Sequence, residues 1–132
     1  MKKRIISSLL ALAALAAPAF ASAQEPLEGR WKRKALEIEI APCGEKLCGT
    51  VLKAAPIDRQ KAMKASGKEL IGSTILTNIV AVGPKTYRGT AFIADYNTHA
   101  RTTMTIKADG TLDIKGCILL VLCRTKTWER AR

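Results

Sequence analysis

One histidine, His99, stands in a chain of 132 residues. A general base needs a partner at hydrogen-bond reach, and His99 sits beside an apparent turn with only Asp95 as a nearby candidate. There is no G-x-S-x-G motif to present an activated serine. There is no C-x-x-C motif beside a βαβ pattern, and no glycine-rich phosphate loop. His99 reads as a polar turn residue, and Glu37 and Glu39, on one face of an alternating strand, read as solvated carboxylates. The expectation is a non-catalytic protein without a cofactor or a metal. Neither a repeat nor a low-complexity stretch interrupts residues 24–132.

Long apolar runs are missing too. Ile5 to Ala17 spans about 13 residues, short of the roughly 20 that a membrane-spanning helix requires. It follows Lys2, Lys3 and Arg4 and precedes Ala21-Ser22-Ala23. A basic start, a short apolar core and a small-x-small end make an export signal. Residues 1–23 are expected to be cleaved, leaving Gln24 first. The first cysteine is Cys43, so nothing at the cleavage point suits lipid modification. The expected location is periplasmic or secreted, with no transmembrane span in the mature protein.

Residues 24–132, about 109 in all, suit a single domain with one small core. The chain's formal charge is +11, and loss of three basic signal residues lowers it to about +8. Such a surface attracts polyanions, an effect that salt weakens. In the cytoplasm nucleic acid would be the first partner to consider. Export argues against it and leaves anionic phospholipid, lipopolysaccharide and acidic cell-wall polymers.

All four cysteines, Cys43, Cys48, Cys117 and Cys123, fall in the mature chain. An even count in an oxidising compartment reads as two disulfides. Three pairings are open. Local closure favours Cys43–Cys48 and Cys117–Cys123, because short turns bring each pair within disulfide range. Zinc is the weaker reading: the spacings are C-x4-C and C-x5-C, and His99 is distant from both.

Alternation marks the strands. Leu36-Glu37-Ile38-Glu39-Ile40 has one apolar and one charged face. Further strand character covers 47–52, 73–80, 87–94, 101–106, 112–115 and 125–130, with turns at Gly83-Pro84, 95–98 and Asp109-Gly110. Ala54 to Gly67 reads as a surface helix or a polar loop; the helix would cover Arg59–Ser66, with Asp58 as its N-cap and Gly67 as its stop. Seven or eight short strands with one short helix or loop insertion predict an all-β fold, a small antiparallel up-and-down barrel or a sandwich.

Trp31 and Trp128 are the only tryptophans, placed near the two ends of the mature chain. A barrel must close its first strand onto its last. Arg130 shares a strand face with Trp128, and a guanidinium laid on an indole would plug one barrel end. The wholly apolar run Ile118-Leu119-Leu120-Val121-Leu122 leaves two readings open. It is a buried strand, or an exposed tip that contacts a membrane, partner or ligand.

Taken in order, Gly29-Arg30-Trp31, Leu47-Cys48-Gly49-Thr50-Val51, Leu70-Ile71-Gly72-Ser73-Thr74-Ile75-Leu76 and Gly116-Cys117 through Cys123-Arg124-Thr125-Lys126-Thr127-Trp128-Glu129-Arg130 form a set. The set resembles the DUF2147 family, small exported bacterial proteins of unknown function. The resemblance covers nearly the whole mature chain and implies a lipocalin-type (calycin) barrel, a cup for a small apolar or amphipathic ligand. Candidate binding residues are then Trp31, Tyr87, Phe92, Leu120, Trp128 and Arg130. Members of that family usually carry D-P-x-x-G-x-x-Y after the middle strand. Here Asp95 is kept, while Tyr96, His99 and Thr102 stand at the other three positions. The alternative to a hollow cup is an envelope or protein-contact module with a filled barrel, since a barrel this small is readily filled by its own side chains.

Overall fold

Alternation over Leu36–Ile40 is realised as a strand with Ile38 and Ile40 turned inward and buried. The computed structural model describes residues 26–119 and 121–132; the proposed signal and Leu120 lie outside the described residues. The strands are β1 (Gly29–Arg33), β2 (Leu36–Cys43), β3 (Lys46–Lys53), β4 (Thr74–Gly83), β5 (Thr86–Ile93), β6 (Thr98–Ile106), β7 (Leu112–Ile118) and β8 (Leu122–Arg130). Each pairs antiparallel with the next, and β1 pairs with β8 to close an up-and-down barrel. One helix, α1 (Pro56–Ser66), is inserted between β3 and β4.

This meander gives the barrel two unlike ends. At the helix end lie the β1–β2 turn, α1, the β5–β6 turn and the β7–β8 tip. At the plug end lie Pro26–Glu28, the close of β8, and the β2–β3, β4–β5 and β6–β7 turns. The closing seam is short, with only Trp31↔Arg130 and Lys32↔Glu129 in register.

Helix α1 departs from the sequence expectation. It begins at Pro56, and its N-cap is Ala55, with no side-chain cap. Proline supplies a fixed φ and needs no hydrogen-bond acceptor at the first helical position, so Asp58 falls inside the first turn rather than capping it. Gly67 stops the helix as expected, at φ 72°, and its N–H reaches the Met63 carbonyl at 2.8 Å. Ala62 is the helix's buried residue and joins the core together with Leu70 from the following linker.

The barrel interior is occupied by its own side chains. Trp31, Ile38, Ile40, Val51, Ile79, Tyr87, Met104 and Leu112 are inaccessible or nearly so and belong to one contiguous cluster. Two glycines show how tight the fit is. A Cβ at Gly49 would lie 3.0 Å from Leu76. A Cβ at Gly89 would lie 2.9 Å from the Thr77 carbonyl oxygen and 3.2 Å from Met104 Cε.

Both locally closed disulfides are present, Cys43–Cys48 and Cys117–Cys123. The first spans a two-residue turn opened by Gly44 at φ 71°, the geometry for which glycine is favoured in hairpins. The second joins directly opposed residues of β7 and β8. Between them the described residues of the 118–122 run do not form a buried strand. Ile118 ends β7, Leu122 starts β8, and the intervening turn has Leu119 at φ 56°. Leu119, Val121 and Leu122 are 75%, 84% and 63% exposed.

Thr102 stands where the resembled family usually has tyrosine. It is buried, and its hydroxyl has no partner among the described residues. An unsatisfied buried hydroxyl is costly. Thr102→Val is expected to stabilise the fold by about 1 kcal/mol, read from the shift of a urea unfolding midpoint. A loss of stability would show that the hydroxyl is satisfied in solution.

Candidate interaction site at the helix end

The plug end is closed at the β1–β8 seam. Trp31 is fully buried, and its indole N–H donates to the Leu27 carbonyl at 2.9 Å. The Arg130 guanidinium carbon stands 3.9 Å from the centroid of the Trp31 ring. Two further donations, from Nη1 to the Glu28 carbonyl at 2.7 Å and from Nη2 to the Pro26 carbonyl at 2.8 Å, tie the start of the domain to its last strand. Trp31 and Arg130 thus hold the β1–β8 seam closed. Trp128 is buried in the same core cluster, and its indole N–H has no partner among the described residues.

The other candidate residues are not brought together. Tyr87 is buried in the interior. Inward parity on β5 belongs to Tyr87, Gly89 and Ala91, so Phe92 faces outward and does not line a cup. Its ring lies 5.1 Å from that of His99, its register partner on β6. His99 is therefore packed on an outer face. Leu120 is outside the described residues. Glu37 and Glu39 are less free than their alternation suggested. Arg30 lies 3.5 Å from Glu39, and Lys53 lies 3.6 Å from the Glu37 carboxylate, which is only 14% exposed.

Two clefts open at the ends of the barrel. One of about 150 Å³ lies beside the α1 linker, between Leu70, Phe92 and Ala94 on its apolar side and Ser66, Ser73 and Thr74 on its polar side. The other, about 290 Å³, lies at the plug end between the β2–β3 hairpin and β4, above Leu47, Ile79 and Tyr87. Drug-sized ligands usually occupy pockets of about 300–1,000 Å³, so the first is well below that range and the second is at its lower edge.

What sets the helix end apart is its surface. Among the described residues, nine large apolar side chains are exposed, and seven of them are at this end. Ile57 and Met63 are on α1, Ile71 follows it, Tyr96 is on the β5–β6 turn, and Leu119, Val121 and Leu122 form the β7–β8 tip. Lys61 and Lys64 follow Ile57 at helical spacings of four and seven, on the side of α1 away from buried Ala62. With Lys68 they are exposed, and none forms an ion pair among the described residues. Arg59 is different: its Nε donates to Glu69 Oε1 at 2.7 Å. That hydrogen bond holds the Glu69 carboxyl below its ordinary range and raises Arg59. A lowered carboxylate keeps such a clasp at neutral pH and loses it as pH falls through the lowered value.

The geometry can be set beside known proteins. A family profile described as "Uncharacterized protein conserved in bacteria (DUF2147)" matches residues 29–130. Among solved structures the chain is similar to one described as "Protein HP1028 from the human pathogen Helicobacter pylori belongs to the lipocalin family". The TM-score is 0.61 at 15% identity, over 80% of this chain and 83% of that one. Identity that low speaks to fold alone, and the fold is lipocalin-like. No match was found among curated proteins.

Proposed function

Because this chain belongs to the DUF2147 family of uncharacterized bacterial proteins, whose description carries no activity, we propose its function from its own surface. The protein is an exported, non-catalytic contact module, and its helix end engages an anionic envelope surface. One observation carries this reading: seven exposed large apolar side chains and the exposed Lys61, Lys64 and Lys68 share the helix end of the barrel. Apolar groups of this kind mark contact sites, and basic groups beside them are drawn to anionic lipid. The filled interior supports the same choice, since it leaves little room for a lipid inside the barrel. Export rests on the leader-like residues 1–23 and agrees with the two disulfides.

Vesicle co-sedimentation tests it. The protein is expected to bind phosphatidylglycerol vesicles and not phosphatidylcholine vesicles at moderate salt. Val121→Ser with Leu122→Ser should weaken binding about tenfold, given the apolar area withdrawn from lipid. Lys61→Glu with Lys64→Glu should weaken it more than tenfold, each lysine near an anionic surface contributing about 1 kcal/mol. Binding indifferent to both pairs would sink the proposal.

A second reading, a small amphipathic ligand, is favoured by the cleft of about 150 Å³ beside Leu70 and Phe92. A cavity of that size holds about one small ring. Native mass spectrometry before and after organic extraction would reveal such a ligand as a mass difference.

A further inference from the structure

The β7–β8 ribbon contains a feature that the envelope reading does not use. β8 is nine residues long, but β1 pairs with it only at Glu129 and Arg130. From Leu122 to Thr127 it has β7 on one side and, among the described residues, no strand on the other, and every residue of that stretch is exposed. Cys117 and Cys123 face each other at a Cα separation of 4.0 Å. That is the close spacing of a non-hydrogen-bonded pair, so residues 123, 125 and 127 turn their backbone N–H and C=O groups away from β7. The Lys32↔Glu129 pairing continues the same parity along the seam. An edge of this kind is a template for another strand.

The edge is also cationic. Arg124 and Lys126 alternate on one face of β8 and make no ion pair among the described residues. Lys115 and Arg101, exposed on neighbouring β7 and β6, extend positive charge across the other face. A second copy of this chain fits poorly here. Laid antiparallel about Thr125, it would set Arg124 against Lys126 of its mate, and like charges directly opposed are unfavourable.

We propose that the free edge of β8, from Cys123 to Thr127, binds an extended acidic peptide segment by strand addition. Main-chain hydrogen bonds to residues 123, 125 and 127 would hold the peptide, as in other β-augmented complexes. Arg124 and Lys126 would select alternate carboxylates along it. This goes beyond the envelope reading and is independent of it, since neither the α1 lysines nor the β7–β8 tip takes part.

The test uses the mature protein and a fluorescein-labelled heptapeptide of alternating valine and glutamate, followed by anisotropy. The expected result is saturable binding, with the peptide of alternating valine and lysine at least tenfold weaker. The same acidic peptide N-methylated at alternate residues keeps its charges but loses its donors, and should bind wild-type protein at least tenfold more weakly. Thr125→Pro removes one outward N–H, a change that edge strands tolerate, and should match that loss. Arg124→Glu with Lys126→Glu should reverse the preference toward the lysine peptide. Equal binding of the N-methylated peptide would mean attraction without strand pairing and would overturn the proposal. So would absence of binding to either peptide, in which case the charges only guard the edge, or β8-dependent self-association seen by sedimentation.

Discussion

Trp31→Ala is expected to remove about 3–5 kcal/mol of folding stability, the range for a large aromatic deleted from a core. Small domains have only about 5–15 kcal/mol in total, so this variant should be at the margin of folding. The indole fills the plug end with no exposed surface and donates to the Leu27 carbonyl. Its removal leaves a void and an unpaired carbonyl. Arg130→Ala should cost about 2 kcal/mol, from one cation–π contact and two charged hydrogen bonds at an exposed rim. The two changes should not add. Once the indole is gone the guanidinium has no ring to lie on, and a coupling of about 0.5–2 kcal/mol is expected from a double-mutant cycle. Urea unfolding of the four proteins measures all three quantities. A Trp31→Ala protein that unfolds like wild type would show that barrel closure lies elsewhere.

That closure was legible in the sequence because its parts are rare. Two tryptophans at opposite ends of a strand-rich chain, with an arginine two residues past the second, leave few other uses. The sequence did not say which indole the guanidinium would cover; it covers Trp31, across the β1–β8 seam. The disulfides were legible because short turns limit the reach of each cysteine. The β7–β8 tip was not, because an apolar run looks the same in a buried strand and in an exposed turn. Only the position of Cys117 opposite Cys123 forces Leu119, Val121 and Leu122 out of the core. The outward facing of Phe92 was not legible for a related reason. Strand parity follows from the neighbours that are buried, and Tyr87 and Ala91 claim the inward face of β5. The free edge of β8 depends on how few residues β1 contributes to the seam, a length that no pattern within β8 records.

Gly89→Leu separates a filled barrel from a hollow one. In a hollow cup the new side chain would point into space, and replacing glycine within a strand would be neutral or mildly favourable. Here the first added carbon already meets the Thr77 carbonyl at 2.9 Å, Ile79 at 3.1 Å and Met104 at 3.2 Å. Met104 ends in a flexible methyl that can move, but the Thr77 oxygen is backbone and cannot move without shifting β4. Overpacking of this kind costs about 1–3 kcal/mol and sometimes more, and a leucine against main chain belongs near the upper end, about 3 kcal/mol. Paired with Met104→Ala, the change should cost less than the sum of the two single changes, because space is returned at one of the three contacts but not at Thr77. Thermal and urea unfolding give both numbers. A Gly89→Leu protein as stable as wild type would mean that the interior opens in solution, and the functional case would then turn from the outer surface of the helix end back to a ligand held within the barrel.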